Sequence, residues 1–364
     1  MKKILFIVLV CLITLVTFYI FRSKEAKVED KRVKVEKKEI VSEKRMSLVA
    51  VGDCLIHGAL YMDAKTGNDT YDFSSMISDI EPLIRDYDLK FFNQESIIGG
   101  KKLGVSHYPR FNSPDEIGDN MLDIGFNMVS LANNHSLDMG EEGILYSTDY
   151  WHNKNVIMSG TNLSLEDRND IKIYEKNGIK YSFLAYTTVT NGLRAPKGKE
   201  YLLNVYDKDK VKEDIAKIKD KVDVIIVSMH WGEEYTHIPA LEEREIAEYL
   251  SSLGVNLIIG THPHVIQSVE YINDTLVIYS LGNFISGQKP LGLDKIIGLM
   301  VGMDIVVKDK VSFENIDYKL LYTYSTNRDK DYKVIPFSNL NDQILPDYKD
   351  IETKYLDIVK GSNE

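Results

Sequence analysis

The sequence predicts an α/β domain behind an apolar amino-terminal helix, on three observations. From Met46 onward, short apolar runs alternate with amphipathic segments, and strand–helix–strand repetition is the pattern of α/β architectures. Several runs are apolar throughout, among them SLVAVG (47–52), VDVIIVSMH (222–230) and VNLIIGTH (255–262). Such strands are expected to be covered on both faces. Polar motifs follow these runs directly, where open α/β sheets bind their ligands.

At the amino end, Met1-Lys2-Lys3 precedes 18 residues without a charge, Ile4 to Phe21. That length lies near the lower limit for a helix spanning a bilayer. A cleaved signal peptide has a shorter apolar core and a small-residue cleavage site. No such site follows here, and Val10 before Cys11 is not the small residue of a lipoprotein signal. Residues 1–21 are therefore expected to be an uncleaved signal anchor. Lys2 and Lys3 lie on one side of it and Arg22, Lys24 and Lys27 on the other, so the Lys/Arg count does not set the orientation. Residues 22–46, rich in mixed charge, read as a solvated stalk.

In the domain, SLVAVG reads as a buried strand and FSSMISDIEPLIRDY (73–87) as a helix. LKFFN (89–93) is a strand, and SPDEIGDNMLDIG (113–125) a helix with a Ser-Pro start and a Gly stop. NMVSLAN (127–133) and VIMSG (156–160) are strands separated by a helix at 143–155. A hairpin is expected at 171–186, turning at Asn177-Gly178. Helices at 207–219 and 242–254 precede the two long apolar strands, and TLVIYSLGN (275–283) is one more strand. The domain is placed at 47–309. Residues 310–364, Tyr- and Asp-rich with weaker periodicity, are expected to pack around its edge.

Residues 1–46 hold 12 Lys/Arg against 6 Asp/Glu, so of the net −11 the remainder carries −17. So acidic a domain is a poor general binder of nucleic acid, which needs clustered Lys/Arg. The two cysteines, Cys11 and Cys54, fall in different environments, which argues against a disulfide between them.

Five strand ends carry potential ligands: Gly52-Asp53-Cys54-Leu55-Ile56-His57, Asn93-Gln94-Glu95, Asn133-Asn134-His135-Ser136-Leu137-Asp138, His230-Trp231-Gly232, and Thr261-His262-Pro263-His264. They hold five of the eight histidines, and His107, His152 and His237 stand outside any motif. Each piece alone has an ordinary reading, since Gly-Asp marks turns and Asn-Asn-His suits a cap or Asx-turn. The ordered set is more specific. Oxygen and imidazole donors from scattered strand ends suit Mn²⁺, Fe or Zn²⁺ rather than a thiolate site. Arg110 could pair with carboxylate or phosphate or serve a structural salt bridge. Asn283 could shape the site or cap a strand.

The series GDCLIHG, NQES, RFNSPDEI, SLANNHSLDMGEEG, SMHWGEEY, GTHPHVIQSVE and YSLGNF resembles the bacterial capsule-synthesis CapA family, which includes the PgsA-type proteins of poly-γ-glutamate production. The likeness runs from about residue 47 to 290. It implies a four-layer αββα sandwich of the metallophosphoesterase-like (calcineurin-like) kind, with one or two divalent metals between two sheets. It further implies that Asp53, Glu95, Asn134, His230, His262 and His264 hold metal. His135 would contact the scissile group and help the leaving group depart, with Asp53 also in the catalytic set. Arg110 and Asn283 are the candidates for substrate contact. The superfamily usually has a histidine two residues after its first aspartate, where this chain has Leu55. Whether His57 substitutes for it stays open.

The resemblance also implies an extracytoplasmic domain on a single-pass anchor in the cell membrane. An anionic polymer or its precursor and membrane-bound synthase or exporter subunits would be its partners. The rival is an accessory protein with a vestigial metal site. If the anchor is uncleaved, amino-terminal sequencing of protein extracted from membranes will read from Met1. A start between residues 22 and 46 would overturn the anchor.

Overall fold

Period-two alternation along the strands sorts the apolar side chains into separate cores. In the computed structural model, residues 2–28, 43–288, 292–326 and 329–361 are described. Most of the expected stalk, residues 29–42, lies outside them. Helix α1 (Lys2–Val28) is continuous. Its stretch Lys2–Lys24 is long and apolar enough to cross a membrane, and its Ile, Leu, Val and Phe side chains are exposed on every side.

Residues 43–364 form a second unit. Its strands are β1 (Lys44–Leu55), the small hairpin β2 (Lys65–Gly67) and β3 (Thr70–Tyr71), β4 (Leu89–Gln94), β5 (Met128–Ser130), β6 (Ile157–Ser159), β7 (Tyr174–Lys176) and β8 (Ile179–Thr187). There follow β9 (Val224–His230), β10 (Leu257–Thr261), β11 (Val269–Ile272), β12 (Thr275–Ile278), β13 (Asn283–Ser286), β14 (Ile297–Val307), β15 (Val311–Tyr324) and β16 (Lys333–Pro336). One sheet runs β16-β15-β14-β1-β4-β5-β6, with β13 also paired to β1. The other runs β11-β12-β10-β9-β8-β7. Strands β1, β4, β5, β6 and β13 are mutually parallel, as are β8, β9, β10 and β12.

The inner core lies between the sheets, where Leu48, Ala50, Phe91 and Met128 meet Phe183, Ala185, Ile226 and Ile259. Phe91 and Phe183 touch edge to face, with centroids 6.0 Å apart. The neighbours Val49, Val51, Phe92 and Val129 turn outward onto helical residues Ile84, Ile117, Met121 and Trp151. On the far side, Leu184, Ile225 and Val227 pack against Val211, Ile215, Ile246 and Leu250 of two further helices. The layers are thus α, β, β, α, and both sheets are covered on both faces, as their continuous apolar runs require.

Local signals explain most boundaries. Asn177 (φ 52°) and Gly178 (φ 78°) turn the β7–β8 hairpin, the left-handed pair that a tight two-residue turn needs. The segment 73–87, expected as one helix, is broken into Ser74–Ile77, a 3₁₀ turn at Ser78–Ile80, and Glu81–Ile84. Pro82, lacking an N–H, sits at the start of the last piece. The segment after Asp309 enters the first sheet. β15 pairs along nearly all of β14, and β16 follows as the edge strand.

One close approach positions the functional edge. A Cβ on Gly52 would stand 1.8 Å from the Gly282 carbonyl oxygen, and the Asp53 N–H donates to that oxygen at 2.9 Å. Gly282 itself has φ 64°, which favours glycine. This contact sets Asp53 beside Asn283 in the β1–β13 register. Gly52→Ala is expected to destabilise the protein by about 3 kcal/mol or more through overpacking. Gly292→Ala, whose added methyl would meet only Lys295 Cε at 3.7 Å, should leave thermal melting nearly unchanged. Equal melting of the two variants would show that the approach is relaxed at little cost.

Candidate metal centre and cleft

Parallel strands deliver the polar motifs to one edge because their carboxyl ends all point the same way. Asp53 lies in β1, Glu95 just past β4, and Asn134 and His135 just past β5. His230 is the last residue of β9, His262 and His264 follow β10, and Asn283 opens β13. All eight side chains are buried, with Asp53, Glu95 and His230 fully so.

The structure brings the expected ligands together. His230 Nε2 lies 3.1 Å from Asn134 Oδ1 and 3.1 Å from His262 Nδ1. His264 Nδ1 is 3.5 Å from Asp53 Oδ2, and its Nε2 is 3.7 Å from Glu95 Oε1. Donor atoms of Glu95, His230 and His262 all lie within 4.8 Å of one another, as do those of Asp53, Glu95 and His264. Glu95 belongs to both groups. Its two oxygens are buried, and neither has a hydrogen-bond partner. A buried carboxylate left without partners is costly, and imidazoles from two sides complete a donor set that fits a divalent cation. Cys54 is no part of it, since its thiol packs in the outer core and burial pushes its pKa up.

Electrostatics agree with that fit. Burial raises the Glu95 carboxyl well above the usual range, against the pull of His264. Burial pushes His230 well below the ordinary histidine value and His262 down to about 4, in each case helped by neighbouring imidazoles. His264 stands apart. Burial opposes its charge, but Glu95 and Asp53 outweigh it and raise the ring to about 9.

The surrounding bonds hold these groups in place. Asn93 donates to Asp53 Oδ1 at 2.7 Å and lies 3.3 Å from His230 Nδ1. Thr261 Oγ1 lies 3.0 Å from the same ring nitrogen. The His262 N–H donates to Asp53 Oδ2 at 3.2 Å. His262 (φ 102°) and His264 (φ 60°) both have left-handed backbones, a strained state for side chains of this size that clusters at functional sites.

A cleft of about 940 Å³ opens on the site, with Asn134, His135 and His264 among its lining. His135 Nδ1 is 2.7 Å from Asp138 Oδ2, and the Phe111 N–H donates to the same oxygen at 2.7 Å. The sequence reading gave Asp138 and Asn93 no role, although both stood inside the quoted motifs. An aspartate one helical turn after a histidine was the available signal for Asp138. Arg110 is exposed on the cleft wall and has no ion pair among the described residues. Asn283 lies behind the site, with Oδ1 3.0 Å from His264 Nδ1 and its amide donating to the Lys295 carbonyl. The structure thus sets it against the ring of His264. Leu55 lines the cleft as an apolar wall. His57, two residues on, belongs to neither donor group, and its Nδ1 faces the Leu55 carbonyl at 3.2 Å.

Comparison with known proteins matches residues 47–288 to the family described as bacterial capsule synthesis protein PGA_cap. The chain is 28% identical over 265 residues to the PGA biosynthesis protein CapA of Bacillus subtilis, covering 71% of this chain and 67% of that one. It is 31% identical over 169 residues to the capsule biosynthesis protein CapA of Bacillus anthracis, covering 45% of this chain and 41% of that one. Among solved structures it is similar to a putative 5'-nucleotidase from Staphylococcus aureus in complex with alpha-ketoglutarate. That likeness has a TM-score of 0.51 at 17% identity, over 85% of this chain and 58% of that one. The calcineurin-like phosphoesterase YfkN of Bacillus subtilis matches with a TM-score of 0.48 at 18% identity, over 79% of this chain and 95% of that one. The fold is an αββα sandwich similar to that of the Staphylococcus aureus protein, and by the match over residues 47–288, about two-thirds of its length, the chain belongs to the bacterial capsule synthesis protein PGA_cap family.

Proposed function

We propose that this chain is a membrane-anchored, extracytoplasmic protein of capsule or poly-γ-glutamate biosynthesis with a metal-dependent, hydrolase-like site. It would act on an anionic polymer or its precursor, beside membrane-bound synthase or exporter subunits. The family, the names of the relatives and the apolar helix α1 support the setting. One observation carries the chemistry: the carboxylate of Glu95, buried without a hydrogen bond between two sets of imidazole and carboxylate donors.

Asp53, Glu95, Asn134, His230, His262 and His264 would hold the cation, whether manganese, iron or zinc. When bound, it would supply Lewis acidity and a water of lowered pKa. The chain's own residues do the rest. Asp138 fixes the ring of His135 through Nδ1, which leaves Nε2 for the substrate. His135 then gives a proton to the departing group, or stabilises the charge that develops there. Arg110, exposed on the wall and without an ion pair among the described residues, neutralises substrate charge. The second reading, a non-catalytic accessory subunit, is favoured by Leu55, an apolar residue where the superfamily has a ligand.

His135→Ala is expected to lower polymer-processing activity by about 10²–10⁴-fold at unchanged metal content. Asp53→Ala should lose metal and activity together. Normal surface polymer from cells carrying either variant, at normal protein levels, would establish the accessory reading instead.

Metal content and pH give a separate test. Below pH 6.5 an unfolded chain takes up protons on His57, His230 and His262, which burial holds neutral in the fold, His57 and His262 down to about 4. Stability of the chelated protein should therefore fall as pH drops from 6.5 towards 4. Glu95 and Glu243, both raised by burial, the latter to about 7, oppose this in part. His264 keeps its proton in the fold up to about 9, so its contribution is lost as pH rises from 6.5 through 9. Melting of chelated protein should peak near pH 6.5. Added Mn²⁺ at 100 times its Kd should add about 2.7 kcal/mol, and Glu95→Gln should abolish that gain. Melting that ignores both pH and Mn²⁺ would contradict the metal centre.

A further inference from the structure

Besides His135, the cleft wall carries two imidazoles that belong to neither donor group, the exposed His107 and the half-buried His57. The Nδ1 of His57 lies 3.2 Å from the Leu55 carbonyl oxygen and 3.4 Å from Ser286 Oγ. A carbonyl can only accept, so the ring proton sits on Nδ1, and Nε2 is left as a bare lone pair. Gly287 lies beside the same side chain, where an added methyl would come within 3.2 Å of His57 Cβ. The contacts of Nδ1 orient the ring.

His57 and His135 share one neighbour. Phe111 meets the ring of His57 edge-on at 5.1 Å and that of His135 edge-on at 4.6 Å. The two imidazoles differ in what holds Nδ1: a carboxylate for His135, a backbone carbonyl for His57. The imidazoles of His264, His135 and His107 add to the effect of burial on His57. Burial, only partly offset by the Leu55 carbonyl, lowers its pKa to about 4. The ring is neutral at neutral pH. The two rings thus face one cleft with differently held Nδ1 atoms.

We propose that His57 is the general base of this cleft, taking the proton from the attacking nucleophile while His135 gives one to the leaving group. The assignment rests on the reading of the cleft as a catalytic site. The nucleophile is water, or a hydroxyl or amine of a second substrate. As its oxygen or nitrogen bonds to phosphorus or carbonyl carbon, its proton passes to His57 Nε2. The ester or amide bond breaks, and the departing oxygen or nitrogen takes the proton of His135. His57 then releases a proton to solvent and His135 takes one up. No oxidant or reductant is needed.

The test uses full-length protein in detergent, with bis(4-nitrophenyl) phosphate and poly-γ-glutamate as probes. In His57→Asn the amide still donates to the Leu55 carbonyl, but the Nε2 lone pair is gone. Its rate should fall about 10²–10⁴-fold on whichever probe the wild type cleaves, with metal content and melting unchanged. The acid limb of the wild-type pH profile should vanish with it. His57→Gln, which restores a polar atom near Nε2 but cannot take a proton, should be equally slow, and it decides the matter if the Asn variant does not fold. On the phosphodiester, 4-nitrophenolate leaves without protonation, so His135→Ala should be much less impaired there than His57→Asn. Wild-type rates in both His57 variants, beside a slow His135→Ala on poly-γ-glutamate, would overturn the assignment alone. Metal lost in step with activity would make His57 a ligand rather than a base. A wild-type protein that cleaves neither probe would remove the catalytic reading and this assignment with it.

Discussion

An unpartnered carboxylate in a closed interior sets the terms for the rest of this molecule. Glu95 is fully buried, and both its oxygens lack hydrogen bonds. Isolated, such a charge would cost several kcal/mol and tend to neutralise. The surrounding architecture keeps donors close to it. Imidazoles arrive from the second sheet and Asp53 from the adjacent strand of the first. Asn93 and Thr261 then fix the orientation of the groups that face it. Five strand ends from two sheets must coincide, and the close approach of Gly52 to Gly282 is one of the contacts that lets them.

Much of this was legible from residue order. Continuous apolar runs marked strands covered on both faces, and the polar motifs behind them marked the edge where ligands gather. The Asn177-Gly178 turn could be read directly, because the left-handed pair is a local demand. What escaped was non-local or directional. The pairing of β15 with β14 depends on a long antiparallel ladder that weak periodicity does not announce. Proline in 73–87 broke a helix whose apolar spacing looked unbroken. Asn283 could be placed near the site, but not the direction of its side chain. Its amide reaches back to the Lys295 carbonyl, and its oxygen holds His264. Asp138 lay inside a quoted motif, yet its task, receiving both His135 and the Phe111 N–H, is set by how the loop folds.

Leu55 serves the cleft in two ways. It is almost fully buried and apolar, and its side chain adds an apolar wall. The carbonyl of the same residue anchors His57. One position thus closes part of the cleft wall and orients an imidazole on it. Side chain and backbone of a single residue divide the work between exclusion and alignment.

The turn from Thr261 to His264 carries a further consequence. Two of its residues hold left-handed backbones, with Pro263 between them. Asparagine and aspartate enter that region several-fold more readily than most residues, whereas β-branched residues scarcely enter it. At His264, with φ 60°, the loop therefore accepts an exchange of imidazole for carboxamide or carboxylate without a change of path. Oxygen donors favour harder cations than imidazole does. Within one unaltered backbone, then, a single substitution at His264 would exchange a softer donor for a harder one.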